Sequence, residues 1–72
     1  MSRQQRYIPD FVLDNLDNLK SNALSQGYTI RKLAALTGTH PNYIGGLGLG
    51  RFTPTRSNYN KLAAVLHWKE WE

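Results

Sequence analysis

The side chains that could do chemistry in this 72-residue chain are mainly cations, amides and hydroxyls. The span between Asn18 and Lys69 contains no Asp or Glu, although the chain has five acids elsewhere. Its cations are Lys20, Arg31, Lys32, Arg51, Arg56, Lys61 and, at its end, Lys69. A basic span without acids is typical of a surface that binds nucleic-acid phosphates. The alternative interpretation is a solvated basic surface with no specific partner.

The same residues offer little for catalysis. Neither His40 nor His67 stands with a carboxylate at a useful spacing, and the chain has no cysteine for disulfides or thiolate metal sites. We therefore expect no enzyme activity, no metal, no cofactor and no small-molecule ligand. A chain of this length forms one domain, and no apolar run approaches the roughly 18 residues of a membrane span. These features predict a cytoplasmic protein that does not interact with membranes.

Two short helices joined by a tight turn are predicted in the stretch TIRKLAALTGTHPNYIGGLGLG, residues 29–50. Thr29 can cap the first helix, of about residues 30–37, with its hydroxyl. Gly38 suits the left-handed conformation that ends a helix. Pro41 opens the second helix, of about residues 41–47, since a proline at the first helical position loses no hydrogen bond. The glycines from 48 to 50 are expected to end it.

A helix on each side should complete an all-α domain. The first, from about residue 9 to 25, has an apolar stripe at helical spacing, with Leu13 and Leu24 beside it. The stripe consists of Val12, Leu16, Leu19 and Ala23, and Phe11 falls beside it to cover another part of the domain. The last helix, of about residues 58–66, is expected to be capped by Ser57. Its inward-facing residues are Tyr59, Leu62, Ala63 and Leu66.

The combined pattern resembles the Cro/phage-repressor-type helix-turn-helix family, often called XRE, over about residues 25–68. The resemblance rests on Thr29, Leu33, Ala34, Gly38, Tyr43, Ile44, Leu47, Gly50, Arg51, Pro54, Leu62, Ala63 and Leu66. It implies a small lambda-repressor-like bundle of four to five helices, here in residues 9–72. It also implies that the helix of about residues 41–47 enters the major groove of DNA.

The resemblance places groove-facing positions at Pro41, Asn42, Gly45 and Gly46. Asn42 is the best candidate for a base contact, because an Asn amide pairs bidentately with adenine. His40 is a further base-contact candidate, with a helix cap as its alternative role. Family members usually carry longer polar side chains at positions 45 and 46, and each glycine costs about 1 kcal/mol of helix propensity. Either the backbone approaches the bases closely there, or the helix is loose until bound and contacts few bases.

Arg31 and Lys32 occupy the first turn of their helix, where cations oppose the helix dipole. A bound phosphate would reverse this effect, since the helix N–H groups and both cations would point at an anion. Simple surface charge is the alternative interpretation of these two cations.

Tyr43 is expected to be half-buried with a free hydroxyl, and the loop of residues 50–57 adds cations and hydroxyls. The predicted phosphate contacts are Thr29, Arg31, Lys32, Tyr43, Arg51, Thr53, Thr55 and Arg56.

The sequence allows two interpretations at each end of the chain. Residues 1–8 are predicted to form a flexible basic arm, in which Arg3 and Arg6 either reach DNA or only add charge. Trp68 should fold back on the core. Trp71 is hard to bury in a monomer, so it is either frayed or part of an interface.

Taken together, the pattern predicts a sequence-specific regulator of transcription that binds double-stranded DNA as a homodimer. The resemblance implies a repressor or autoregulator of a phage or mobile-element operon. Two alternatives remain: a protein-interaction module such as an antirepressor or antitoxin, and a non-specific architectural DNA-binding protein. Phe52 bears on this choice, since it is either a lid on the core or a partner contact. Steep weakening of binding by salt would favour DNA.

Overall fold

The computed structural model describes residues 8–72, which form five helices and no strand. The helices are α1 (Asp10–Asp17), α2 (Leu19–Ser25), α3 (Ile30–Thr37), α4 (Pro41–Leu49) and α5 (Arg56–Leu66). The predicted small all-α bundle of four to five helices is confirmed. Within the described range, no helix is both long and apolar enough to cross a membrane.

The prediction of a single helix from about residue 9 to 25 was wrong, because the helix is interrupted at Asn18. Asn18 has φ −101° and ψ 14°, which separates α1 from α2. Its side-chain amide donates to the backbone oxygen of Asp14 at 3.0 Å. Such local side-chain bonds are the reason that Asn competes with regular helix geometry. The break leaves the apolar stripe buried, but Leu13 and Leu24, predicted beside it, are 42% and 57% exposed.

The core is assembled around Tyr59 of α5, which is fully buried. Its hydroxyl donates to the backbone oxygen of Lys69 at 2.8 Å and accepts from the Asn15 amide at 2.9 Å. Burial raises the pKa of Tyr59 above its ordinary value, although the bond from Asn15 opposes this. Phe11 packs edge-on against the Tyr59 ring at 6.3 Å between centroids. The inward-facing residues predicted for α5 are all buried, which confirms that part of the prediction.

The C-terminal segment after α5 folds back over the same tyrosine. Trp68 stacks on Tyr59 at 5.7 Å, and its indole N–H donates to Asn22 Oδ1 at 3.1 Å. The prediction that Trp68 returns to the core is confirmed. Trp71 is also buried, at 5% exposure. Its backbone N–H and C=O both bond the side chain of Asn60, at 2.8 Å each. The expectation that Trp71 would be frayed or exposed for an interface was therefore wrong, because a single copy of the chain buries it.

Only the last residue of the predicted N-terminal arm lies within the described part of the chain. Ile8, assigned to a flexible arm of residues 1–8, is partly buried and packs against the core. It therefore belongs to the folded part of the chain. Arg3 and Arg6, the cations predicted to form a basic arm, lie outside the described residues.

Candidate nucleic-acid interface

The unit formed by α3, a tight turn and α4 carries most of the predicted contact residues. The Thr29 hydroxyl accepts from the Lys32 backbone N–H at 3.1 Å, so the predicted N-cap of α3 is confirmed. Gly38 takes the left-handed conformation, with φ 69°, as predicted for the end of the helix. The following N–H, of Thr39, closes this end by donating to the Ala34 oxygen at 2.9 Å. Local capping chemistry therefore sets both ends of α3.

His40 is the N-cap of α4. Its Nδ1 accepts from the Asn42 backbone N–H at 3.0 Å, and Pro41 follows at the first helical position. Because Nδ1 accepts this bond, the neutral ring carries its proton on Nε2, which keeps one donor for another partner. Both His40 and Asn42 are exposed. The cap thus holds the start of α4 while the Asn42 amide, a predicted base contact, stays accessible.

The C-terminal end of α4 lies two residues beyond the prediction. Gly48 and Leu49 are helical, and the left-handed residue that ends the helix is Gly50, with φ 79°. Gly48 faces α1 and α2: a Cβ there would lie 3.6 Å from Leu19 Cδ2 and 3.8 Å from the Leu16 oxygen. These are ordinary van der Waals distances, so α4 packs against the first two helices here without requiring a glycine.

The two glycines predicted to face the DNA groove differ in their surroundings. A Cβ at Gly45 would meet nothing within 4 Å, so this position is open, as expected. Gly46 is buried, and a Cβ there would lie 2.3 Å from Cδ2 and Cε2 of Phe52. The expectation that Gly46 faces outward was therefore wrong, because the Phe52 ring covers it. Phe52 is itself 47% exposed, so it is only in part the core lid considered from the sequence.

This difference predicts different changes in stability for two matched substitutions. Gly45→Ala should raise the free energy of unfolding by about 0.5–1 kcal/mol, because alanine has the higher helix propensity and the space is open. Gly46→Ala should give less than this gain or destabilise, because the Phe52 ring must leave its position. Urea denaturation followed by circular dichroism measures both changes. Equal stabilisation of the two variants would contradict the packing of the Phe52 ring against Gly46.

Tyr43 and Phe52 join α4 to the loop before α5. Their rings stack at 5.6 Å between centroids, with an interplanar angle of 29°. Tyr43 is half-buried, as predicted, but its hydroxyl is not free, since it accepts from the Asn58 amide at 3.0 Å. The hydroxyl proton is still a possible donor to a phosphate. No local pattern in the sequence indicates this role of Asn58, because its partner lies 15 residues away.

The start of α5 also corrects the prediction. Thr55, not Ser57, is the N-cap, and its hydroxyl accepts from the Asn58 N–H at 3.2 Å. Arg56 is therefore the first helical residue. Its guanidinium lies over the Trp71 ring at 5.6 Å, a cation–π contact that fixes the side chain against the C-terminal segment. Thr55 and Arg56 thus have structural partners beside any role toward phosphate.

The predicted phosphate contacts are all accessible to a partner in some degree. Tyr43 is half-buried, and the other seven are exposed: Thr29, Arg31, Lys32, Arg51, Thr53, Thr55 and Arg56. Lys32 lies over the Tyr28 ring at 5.7 Å, which places its charge beside the N-terminal turn of α3. Since residues 19–68 contain no acid, the exposed charge of α3, α4 and the loop after them is entirely positive.

Apolar surface lies beside these cations. Leu49 is 74% exposed at the end of α4, and Leu36 is 54% exposed on α3. A shallow apolar groove of about 200 Å³ adjoins Phe52. Its lining consists of Ile8, Leu13, Leu16, Asp17, Leu47, Gly50, Phe52, Thr53 and Pro54.

Among residues 8–72, no three His, Cys, Asp or Glu side chains are grouped so that they could hold a metal ion.

The chain was compared with protein-family models, curated proteins and solved structures, and none of them matches it.

Proposed function

We propose that the protein binds double-stranded DNA in the cytoplasm as a sequence-specific regulator of transcription, of the repressor type. In this proposal α3, the turn at Gly38 and α4 act as a helix-turn-helix, with α4 in the major groove. The single observation that carries the proposal is the exposed pair Arg31 and Lys32 at the positive end of α3.

Arg31 and Lys32 lie in the first turn of α3, where an unbound protein gains no stability from the interaction of their charges with the helix dipole. The first N–H groups of a helix have no partner within it, and cations beside them are unfavourable. An anion bound there would be stabilised by the N–H groups that the Thr29 cap does not use, by the helix dipole and by both side chains. The phosphates that flank the major groove supply such anions at regular spacing. Arg51, exposed just beyond α4, would contact the backbone on the other side of that helix.

Sequence preference would come from the exposed face of α4. The Asn42 side chain is exposed in the first turn, where it can pair with the adenine edge in the major groove. Gly45 leaves an open space beside it in which the helix backbone can approach a base closely. A homodimer would place two copies of α4 about one helical turn apart, which predicts an inverted-repeat operator.

The decisive experiment is selection from random duplex DNA, followed by affinity measurements on the selected duplexes across a salt series. An enriched inverted repeat whose binding weakens steeply with salt would support a dimeric sequence-specific regulator. Steep salt dependence without enrichment would point to an architectural DNA-binding protein instead. Absence of binding at low salt would contradict the proposal.

Asn42→Ala should relax the sequence preference at one base pair of the selected site. We expect a loss of about 1–3 kcal/mol of discrimination there, if the amide contact is bidentate. Competition binding with duplexes changed at each position measures this effect. Asn18→Ala, which removes an exposed amide from the break between α1 and α2, is the matched control and should leave the preference unchanged. An unaltered preference in Asn42→Ala would show that this assignment is wrong.

A protein-interaction module is the second candidate, favoured by the exposed apolar side chains of Leu13, Leu49 and Phe52. A partner that covers them would bind through apolar contact. Its affinity would change little with salt, whereas phosphate binding weakens steeply. The salt series therefore separates this candidate from the first.

A further inference from the structure

The Phe52 ring occupies the place on α4 where the side chain of residue 46 would stand. A Cβ on Gly46 would overlap the ring, with 2.3 Å to two of its carbons. The loop after α4 thus supplies a side chain that the helix itself lacks. One face of the ring is stacked against Tyr43, while 47% of the residue remains exposed.

Helical spacing identifies the neighbours of this position. Residues three and four apart are adjacent on a helix surface, so Asn42 and Leu49 flank position 46. Asn42 is exposed and Leu49 is 74% exposed. The exposed strip of α4 therefore presents an amide, then the Phe52 ring, then a leucine. An amide beside apolar groups matches the major-groove edge of A·T pairs, which offer adenine N6 and N7 and the thymine methyl.

We propose that Phe52 is a specificity-determining residue that contacts the C5-methyl group of thymine in the major groove. This inference rests on the proposed function, which it deepens by naming A·T pairs with an accessible thymine methyl as the preferred contact. Leu49 extends the same apolar surface. The glycine at position 46 has a direct purpose in this arrangement, because any side chain there would displace the ring.

The ring is held in position before any ligand binds. Tyr43 stacks against it, and the Tyr43 hydroxyl in turn accepts from Asn58 at the start of α5. Three elements therefore fix one exposed aromatic group: α4, the loop and α5. A group fixed in this way loses little conformational freedom on binding, which favours selective contact.

The test uses the full chain and a selected duplex in which single thymines are replaced by deoxyuridine, so that only a methyl group is lost. We expect one or two positions to bind about fourfold more weakly, as loss of one buried carbon implies. Phe52→Ala should remove this sensitivity while the salt slope is unchanged. Gly46→Ala should do the same, because it displaces the ring and keeps the phenylalanine. Leu24→Ala, at a 57% exposed position of α2, is the control that should keep the sensitivity.

The outcomes separate this inference from the proposed function. Sequence-specific binding that is indifferent to every deoxyuridine would overturn the role of Phe52 and leave the regulator intact. Methyl sensitivity that survives both Phe52→Ala and Gly46→Ala would assign the contact to another residue. If no duplex binds at any salt concentration, both proposals fail. If Phe52→Ala does not fold, the sensitivity to deoxyuridine is measured on Gly46→Ala alone.

Discussion

Replacing Trp71 with alanine should lower the free energy of unfolding by about 3–5 kcal/mol. Trp71 is 5% exposed and packs edge-on against the Tyr59 ring at 6.1 Å between centroids. Its removal opens a cavity beside the buried tyrosine on which the core is built. Small domains have only about 5–15 kcal/mol of stability, so the change would be a large fraction of the total. Urea denaturation followed by circular dichroism measures the change.

Leu24→Ala is the control for this experiment. It also removes a large apolar side chain, but from a position that is 57% exposed. We expect a change within about 0.5 kcal/mol, as is usual for surface substitutions. If Trp71→Ala and Leu24→Ala unfold at the same urea concentration, the C-terminal segment does not contribute to the core as described.

Under the proposed function, the double variant Arg31→Glu, Lys32→Glu should abolish DNA binding without loss of stability. Glutamates in the first turn of α3 complement the helix dipole, each by about 0.3–1 kcal/mol. A glutamate at position 32 would also complete a capping box with Thr29. The same charges would repel phosphates. Fold stability and DNA affinity are therefore expected to change in opposite directions, which a general loss of structure cannot produce. Thermal denaturation and a salt series on the selected duplex measure the two properties.

The matched control is the double variant Lys20→Glu, Lys61→Glu. Both lysines are exposed, on α2 and α5, and both double variants lower the formal net charge of +4 by four units. If the α3 cations contact phosphates directly, the control should retain sequence-specific binding with an affinity reduced only by long-range charge. Equal losses in the two double variants would mean that net charge, and not the N-terminal end of α3, determines affinity.

The parts of the fold that sequence predicted well are those determined by local chemistry. The bounds of α3, about residues 30–37, were confirmed because a threonine cap and a left-handed glycine are recognisable in the sequence. The burial of Tyr59 and Leu62 on α5 followed from helical periodicity. Within the candidate interface, the accessibility of Asn42 was likewise predictable from its place in the first turn of α4. Each of these inferences needed only residues within about one helical turn.

The remaining features depend on contacts between distant residues. Gly48 lies against Leu19, far away in the sequence, and the spacing of residues within α4 does not indicate this contact. Gly46 is buried because Phe52 returns over it, although the two are in different elements. Trp71 is buried through Asn60 and Tyr59, a combination that no local pattern indicates. Hydropathy and spacing describe faces of helices, but they do not show which side chain from elsewhere covers a given face.

The open space at Gly45 has a consequence for how the specificity of this surface can change over evolutionary time. Most substitutions that alter a binding surface destabilise the protein. At position 45 a Cβ would enter empty space, and most residues would improve the helix propensity of α4. New polar groups can therefore be acquired there without a compensating change elsewhere. The position is a natural starting point for the divergence, or the deliberate redesign, of partner choice.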